Sequence, residues 1–124
     1  MSSLIENETA LRGLIASGGD ILVLFYASWC GFSSKFLPIF EKHACGPNCF
    51  RVLTDRVDGV EDAFSIDFVP TVIFFHKGKL HMRLNGIAGE GLSEEMLLGL
   101  ISTCKLARKN NSKDGTNEKE TLKT

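Results

Sequence analysis

The stretch "DILVLFYA", residues 20–27, is an unbroken apolar run built from strand-forming residues. It lacks the in-out alternation of a half-exposed strand, so both of its faces need covering, and it belongs near the centre of a sheet. Directly after it, "SWCGFSSKFLPIFEKH" repeats Phe32, Phe36, Ile39, Phe40 and His43 at three to four residues, the spacing of a helix from about Gly31 to Ala44. Pro38 falls inside that helix, where it deletes one backbone hydrogen bond and favours a kink. A buried strand running straight into a helix confines the chain to the α/β class. It also leaves a cysteine, Cys30, at the joint.

The remaining segments fill in that class. Leu4, Leu11, Leu14 and Ile15 recur at helical spacing, "ENET" offers caps, and Gly18 and Gly19 stop the pattern, so a first helix is expected over residues 8–17. "CGPNC" reads as a turn, "FRVLTDRVD" as a strand and "GVEDAFSID" as a short helix. "VPTVIFFHKGKLHMRLNG" reads as two strands joined by a Lys-Gly turn, a hairpin. Ser93 caps a last helix with Glu94 and Glu95 in its first turn and Met96, Leu97, Leu100 and Ile101 on its buried stripe. Beyond Cys104 the apolar periodicity is lost, which divides the chain into a folded unit, residues 1–104, and a polar tail expected to be disordered, residues 105–124. The expected sheet is mixed, of four to five strands: parallel where a helix crosses over, antiparallel at the hairpin, with helices on both faces.

A chain of 124 residues, 44% hydrophobic, can bury a core without disulfides or metals. Its formal charge of −1 divides into −4 for residues 1–104 and +3 for residues 105–124, and no basic face for nucleic acid stands out. No apolar run reaches the roughly 20 residues that span a bilayer, so no membrane contact is expected of this segment. "MSSLIENETALRG" has neither a basic start nor an apolar leader. The expected compartment is therefore the cytoplasm, or a secretory-pathway lumen if the chain is a domain excised from a longer precursor.

A cysteine in the first turn of a helix sits against unpaired backbone N–H groups and the positive end of the macrodipole, which favour thiolate over thiol. Position alone makes Cys30 a candidate nucleophile, though the local pattern equally suits a small core residue. Taken together, "ILVLFYASWCGFSSKFLPIFEK", "FVPTVIFFHKGKL" and "NGIAGE" resemble the thioredoxin superfamily across about residues 4–104. The resemblance implies a thioredoxin-like fold and a cis Val69-Pro70 bond packed against Cys30 and Trp29. It also implies a shallow groove formed by Trp29, Gly31, Phe32, Val69 and Pro70 that pairs with a disulfide-bearing chain.

Two departures from that pattern agree with each other. Ser33 stands where a dithiol enzyme carries its second cysteine, and Leu24 stands where it carries a buried aspartate serving that cysteine. A buried carboxylate is costly without a partner or a task, so a natural monothiol has reason to carry Leu at 24. Attack by Cys30 on a disulfide then gives a mixed disulfide. Release falls to an external thiol such as glutathione, or to a further cysteine of the substrate, and Ser33 is left to donate a hydrogen bond to the thiolate. The partners expected are a disulfide-containing protein or glutathione, with no cofactor.

Two alternatives stand beside this reading. One is a redox-poor binding module that uses the Trp29, Phe32 and Val69-Pro70 groove with Cys30 incidental. The other is a glutaredoxin-like binder of glutathione and an iron–sulfur cluster, suggested by "CGFS" but opposed by its flanks. Cys45 and Cys49 flank a turn and are expected either to pair or to stay reduced. With His43 they make three ligands where a metal site wants four, so no metal is expected. Cys104 is expected in the core. His76 and His81 flank the hairpin turn without the spacing of a triad, and "GIAGEG" reads as a loop without a nucleotide-binding pattern.

Overall fold

The structure is a computed structural model that describes residues 2–44 and 46–112, of which 105–112 are described as helical backbone only. The elements run β1 (Ser3–Ile5), α1 (Glu8–Ala16), β2 (Ile21–Tyr26), α2 (Gly31–His43), β3 (Cys49–Leu53), α3 (Val60–Ala63), β4 (Thr71–His76), β5 (Lys79–Leu84) and α4 (Glu94–Ser112). The sheet order is β1-β3-β2-β4-β5. β3 is parallel to both β1 and β2, while β4 is antiparallel to β2 and to β5. Every residue of β2 is buried, as an unbroken apolar strand at the middle of five requires.

The strand period of two divides β2 between two cores. Ile21, Val23 and Phe25 pack with Leu11 of α1, Val60 of α3, and Ile73 and Phe75 of β4. Leu22, Leu24 and Tyr26 pack on the other face with Phe36 and Phe40 of α2 and with Leu97, Leu100 and Cys104 of α4. Phe25, Phe36 and Phe40 are among the largest fully buried side chains. Burying each removes from water an area worth about 1.5–3 kcal/mol. Cys104 lies in the core as expected.

The hairpin turns at Lys77 and Gly78, with φ of 55° and 80°. Both central residues thus lie in the left-handed region, the arrangement that matches the twist of two adjoining strands. Among the described residues no helix is long and apolar enough to cross a membrane.

Two expectations are corrected. Leu4 is not part of a helical stripe: it lies in the short edge strand β1, beside Arg51 of β3, and is 40% exposed. The helix cannot reach back to it because Asn7 closes the end, its side chain accepting the Ala10 N–H at 2.7 Å. The strand expected over "FRVLTDRVD" stops at Leu53, whose carbonyl accepts from the N–H groups of Arg56 and Val57 and so turns the chain. Helix α4 runs through Ser112, past the point where apolar periodicity fades. The remainder of the expected tail, and Cys45 with its proposed pairing, lie outside the described residues.

Candidate active site

The joint between β2 and α2 is held by short-range backbone bonds and one long-range clamp. Cys30 donates its N–H to Ala27 O at 3.3 Å, and its own carbonyl accepts from Ser34 N at 3.0 Å, the first bond of α2. Cys30 is the N-cap residue, with extended φ and ψ of −94° and 125°, and its side chain makes no capping bond. Its sulfur is therefore not spent on closing the helix. Ser28 donates its backbone N–H to Asp55 Oδ1 at 3.1 Å and its hydroxyl to Asp55 Oδ2 at 2.6 Å. These bonds, the hydroxyl first, hold the Asp55 carboxyl below its ordinary pKa. The clamp ties the residue before Trp29 to the loop after β3.

On the other side of the groove the Val69-Pro70 bond is cis, as the resemblance implied. Cys30 Sγ lies 3.8 Å from the Val69 carbonyl oxygen, to which the thiol donates. Thr71 fixes this turn by donating its hydroxyl to Phe68 O at 2.7 Å while accepting the Gly86 N–H at 3.3 Å. Gly86 has to be glycine: a Cβ there would stand 2.6 Å from Pro70 O and 3.1 Å from Phe68 O, both backbone atoms. Gly91, with φ of 75°, backs onto Phe32, whose Cβ would lie 2.9 Å from an added methyl. The loop read from "GIAGEG" thus props one wall of the site.

Trp29, Cys30, Gly31, Phe32 and Val69 all line a single groove of about 390 Å³. Trp29 is 73% exposed and Phe32 40%, against 8% for Cys30, so two aromatic side chains stand proud of a recessed sulfur. Pro70 and Ser33, also expected here, are not on the groove surface. Pro70 is buried beneath it. Ser33 is buried behind Cys30, where its hydroxyl oxygen accepts the Ala27 N–H at 3.2 Å. That bond ties Ser33 to the strand-to-helix joint and leaves its hydroxyl proton free of it. Leu24 is fully buried in the α2 and α4 core, as its substitution for a carboxylate anticipated.

Sequence reasoning missed Phe68 and Ile87, which extend the apolar rim, and Glu61 and Asp67, which supply carboxylates to it. It also missed the Ser28–Asp55 clamp. That pairing follows from register: Tyr26 lies opposite Leu53, and Thr54 N donates to Tyr26 O, which brings the next residues level. The histidines are absorbed elsewhere, His43 on Glu94 and His76 on Asp20. Among the described residues no group of three or more His, Cys, Asp or Glu is placed to hold a metal.

Comparison with known proteins bears on the whole of this framework. The family model described as Thioredoxin matches residues 3–97. A thioredoxin of Mycoplasmoides gallisepticum is 31% identical over 96 residues, covering 75% of this chain and 96% of that protein. Monothiol glutaredoxin-S17 of Arabidopsis thaliana is 28% identical over 95 residues, which is 74% of this chain but only 20% of that protein. Among solved structures, a thioredoxin of Plasmodium falciparum superposes with a TM-score of 0.70 at 21% identity, over 82% of this chain and 97% of that one. The fold, the cis-proline turn beside a helix-start cysteine and the family match agree, and the chain belongs to the thioredoxin family of thiol–disulfide oxidoreductases, which act on disulfide-containing proteins.

Proposed function

We propose that this protein carries out thiol–disulfide exchange with Cys30 as its sole attacking thiol. The observation that carries the reading is the placing of the Cys30 sulfur at the N-terminus of α2, recessed below Trp29 and Phe32, with a hydroxyl rather than a thiol at Ser33. The Cys30 thiolate attacks one sulfur of a substrate disulfide, a new S–S bond forms, and the other substrate sulfur leaves as a thiolate that takes up a proton. A second exchange, by an external thiol or by another cysteine of the substrate, breaks the Cys30–substrate bond and returns Cys30 as a thiol. No net oxidation is needed when the substrate's own cysteine closes the cycle, and the result is isomerisation. When an external thiol closes it, Cys30 leaves as a thiol and the substrate sulfur is held in a disulfide with that thiol until a second equivalent displaces it, so two external thiols are oxidised to a disulfide and the substrate disulfide is reduced to two thiols.

The test is capture. Incubation with a disulfide-bearing protein, followed by acid quenching and non-reducing mass spectrometry, should show one adduct per chain, located at Cys30 and absent in Cys30→Ser. Alkylation at neutral pH should modify Cys30 before Cys49 and Cys104, which serve as internal controls in the same digest.

The recessed sulfur also favours a second reading, in which the groove binds a partner and the thiol is a bystander. Slow alkylation of Cys30 together with no adduct would select that reading.

A further inference from the structure

The groove walls carry charge of a single sign. Glu61 of α3 and Asp67, two residues before Val69, both line it beside Cys30, while no Lys, Arg or His is among its described lining residues. Nearby cations are engaged elsewhere. Arg83, which shares an adjoining pocket with Asp67, donates to the carbonyls of Phe64 and Ser65 and to Asn85 Oδ1. Arg12 pairs with Glu8. The rest of the rim is apolar: Trp29, Phe32, Phe68 and Ile87 are all more than a third exposed. Residues 1–104 as a whole carry −4, so the field beyond the groove has the same sign as its walls.

We infer that the groove selects disulfide partners by charge, taking an extended peptide whose reacting cysteine is flanked by Lys or Arg next to an apolar side chain. This rests on the exchange reading above and names its substrate class. The long side chain of a Lys or Arg sets its charge against the carboxylates of Glu61 and Asp67 while the apolar neighbour covers Phe68 and Ile87. Charge complementarity of this kind raises the encounter rate and suppresses partners of the wrong sign. Glutathione, with two carboxylates and one ammonium, is repelled by the same walls, so release by a further cysteine of the substrate is favoured over release by glutathione.

The experiment uses three peptides identical except at the residues flanking one cysteine, which are Lys, Ala or Asp, each capped as a mixed disulfide with thionitrobenzoate. Attack by the Cys30 thiolate on the peptide sulfur forms the protein–peptide disulfide and expels the coloured thionitrobenzoate anion, so absorbance reads the rate. The expected order is Lys above Ala above Asp, with Lys and Asp about tenfold or more apart at low salt. That spread should shrink in high salt and in the Glu61→Gln, Asp67→Asn double variant. Equal rates for the three peptides, or a preference that survives the double variant, would overturn the proposal. Matching peptides with serine in place of cysteine, followed by Trp29 fluorescence, separate the two ideas. If no capped peptide reacts, the exchange reading fails, and unequal binding of the serine peptides upholds the charge selection while equal binding ends it.

Discussion

Ser33 Oγ accepts the N–H of Ala27 at 3.2 Å from a fully enclosed position one helical turn below Cys30. A hydroxyl here serves the backbone, and a thiol of similar size would serve it less well but would bring a second sulfur to the same end of α2. Ser33→Cys is therefore expected to cost about 1 kcal/mol of stability through a weaker acceptor. It should also convert a long-lived Cys30 mixed disulfide into one released from within. Time-resolved mass spectrometry of the adduct checks the lifetime, and thermal denaturation checks the cost. An adduct that persists unchanged in Ser33→Cys would mean that residue 33 cannot reach the bond.

Gly86 and Gly99 make a matched pair. A methyl at 86 meets the carbonyl oxygens of Pro70 and Phe68, neither of which can yield without moving the turn that faces Cys30. Gly86→Ala is expected to destabilise the fold by about 1–3 kcal/mol and to slow adduct formation at Cys30. Gly99, in α4, has open space where its Cβ would go. Gly99→Ala should stabilise by up to about 1 kcal/mol and leave the chemistry alone. Denaturant melts of the two variants, run beside the capture assay, distinguish a local packing demand from a general dislike of change.

How much of this was legible in the sequence follows from the range of each interaction. β2, the hairpin and α2 announce themselves through local patterns: an unbroken apolar run, a Lys-Gly turn, a repeat at three to four residues. Cys30 could be named because it starts that helix, and Trp29, Phe32 and Val69 because the motifs around them resemble the thioredoxin superfamily. β1 was hidden because three residues carry no period, and Leu4 happened to fall in step with the helix that Asn7 in fact closes off. Asp55 was hidden for a different reason. Its partner Ser28 is distant in sequence, and only the pairing of β2 with β3 brings the two together. Glu61 of α3 and Asp67 of the loop between α3 and β4 reach the groove through tertiary packing, as do Phe68 and Ile87 on its rim.

The Ser28–Asp55 clamp makes the site sensitive to acid in a definite direction. Hydrogen bonds from Ser28 lower the Asp55 pKa in the folded state, so the unfolded chain binds the proton more readily. The stabilising contribution is thus complete above the ordinary carboxylate value of about 3.9 and is lost as pH falls through the lower, folded value. Trp29 is the only tryptophan and follows Ser28 directly, so its fluorescence reports the joint. An acid titration should change that signal below the ordinary range in the native protein, and Asp55→Asn should remove the transition. Glu94, whose pKa is likewise lowered, by His43 and then Lys42, serves as control. Glu94→Gln should leave the Trp29 transition in place.

Thr54 lies behind the same joint. Its hydroxyl oxygen is buried with no hydrogen-bond partner among the described residues, while its backbone N–H donates to Tyr26 O. An unpaired buried hydroxyl costs free energy that a methyl of the same shape does not. Thr54→Val keeps the β-branched shape and the ladder bond, so it should stabilise the protein by about 1 kcal/mol, read as a raised denaturation midpoint at unchanged slope. Asp55 follows Thr54 immediately, and the clamp depends on the backbone there, so Trp29 fluorescence and Cys30 reactivity should both stay as they are. Destabilisation by Thr54→Val would show that the hydroxyl has a partner in solution. An ordered water bridging Thr54 to the strand-to-helix joint is the species that would have to supply it.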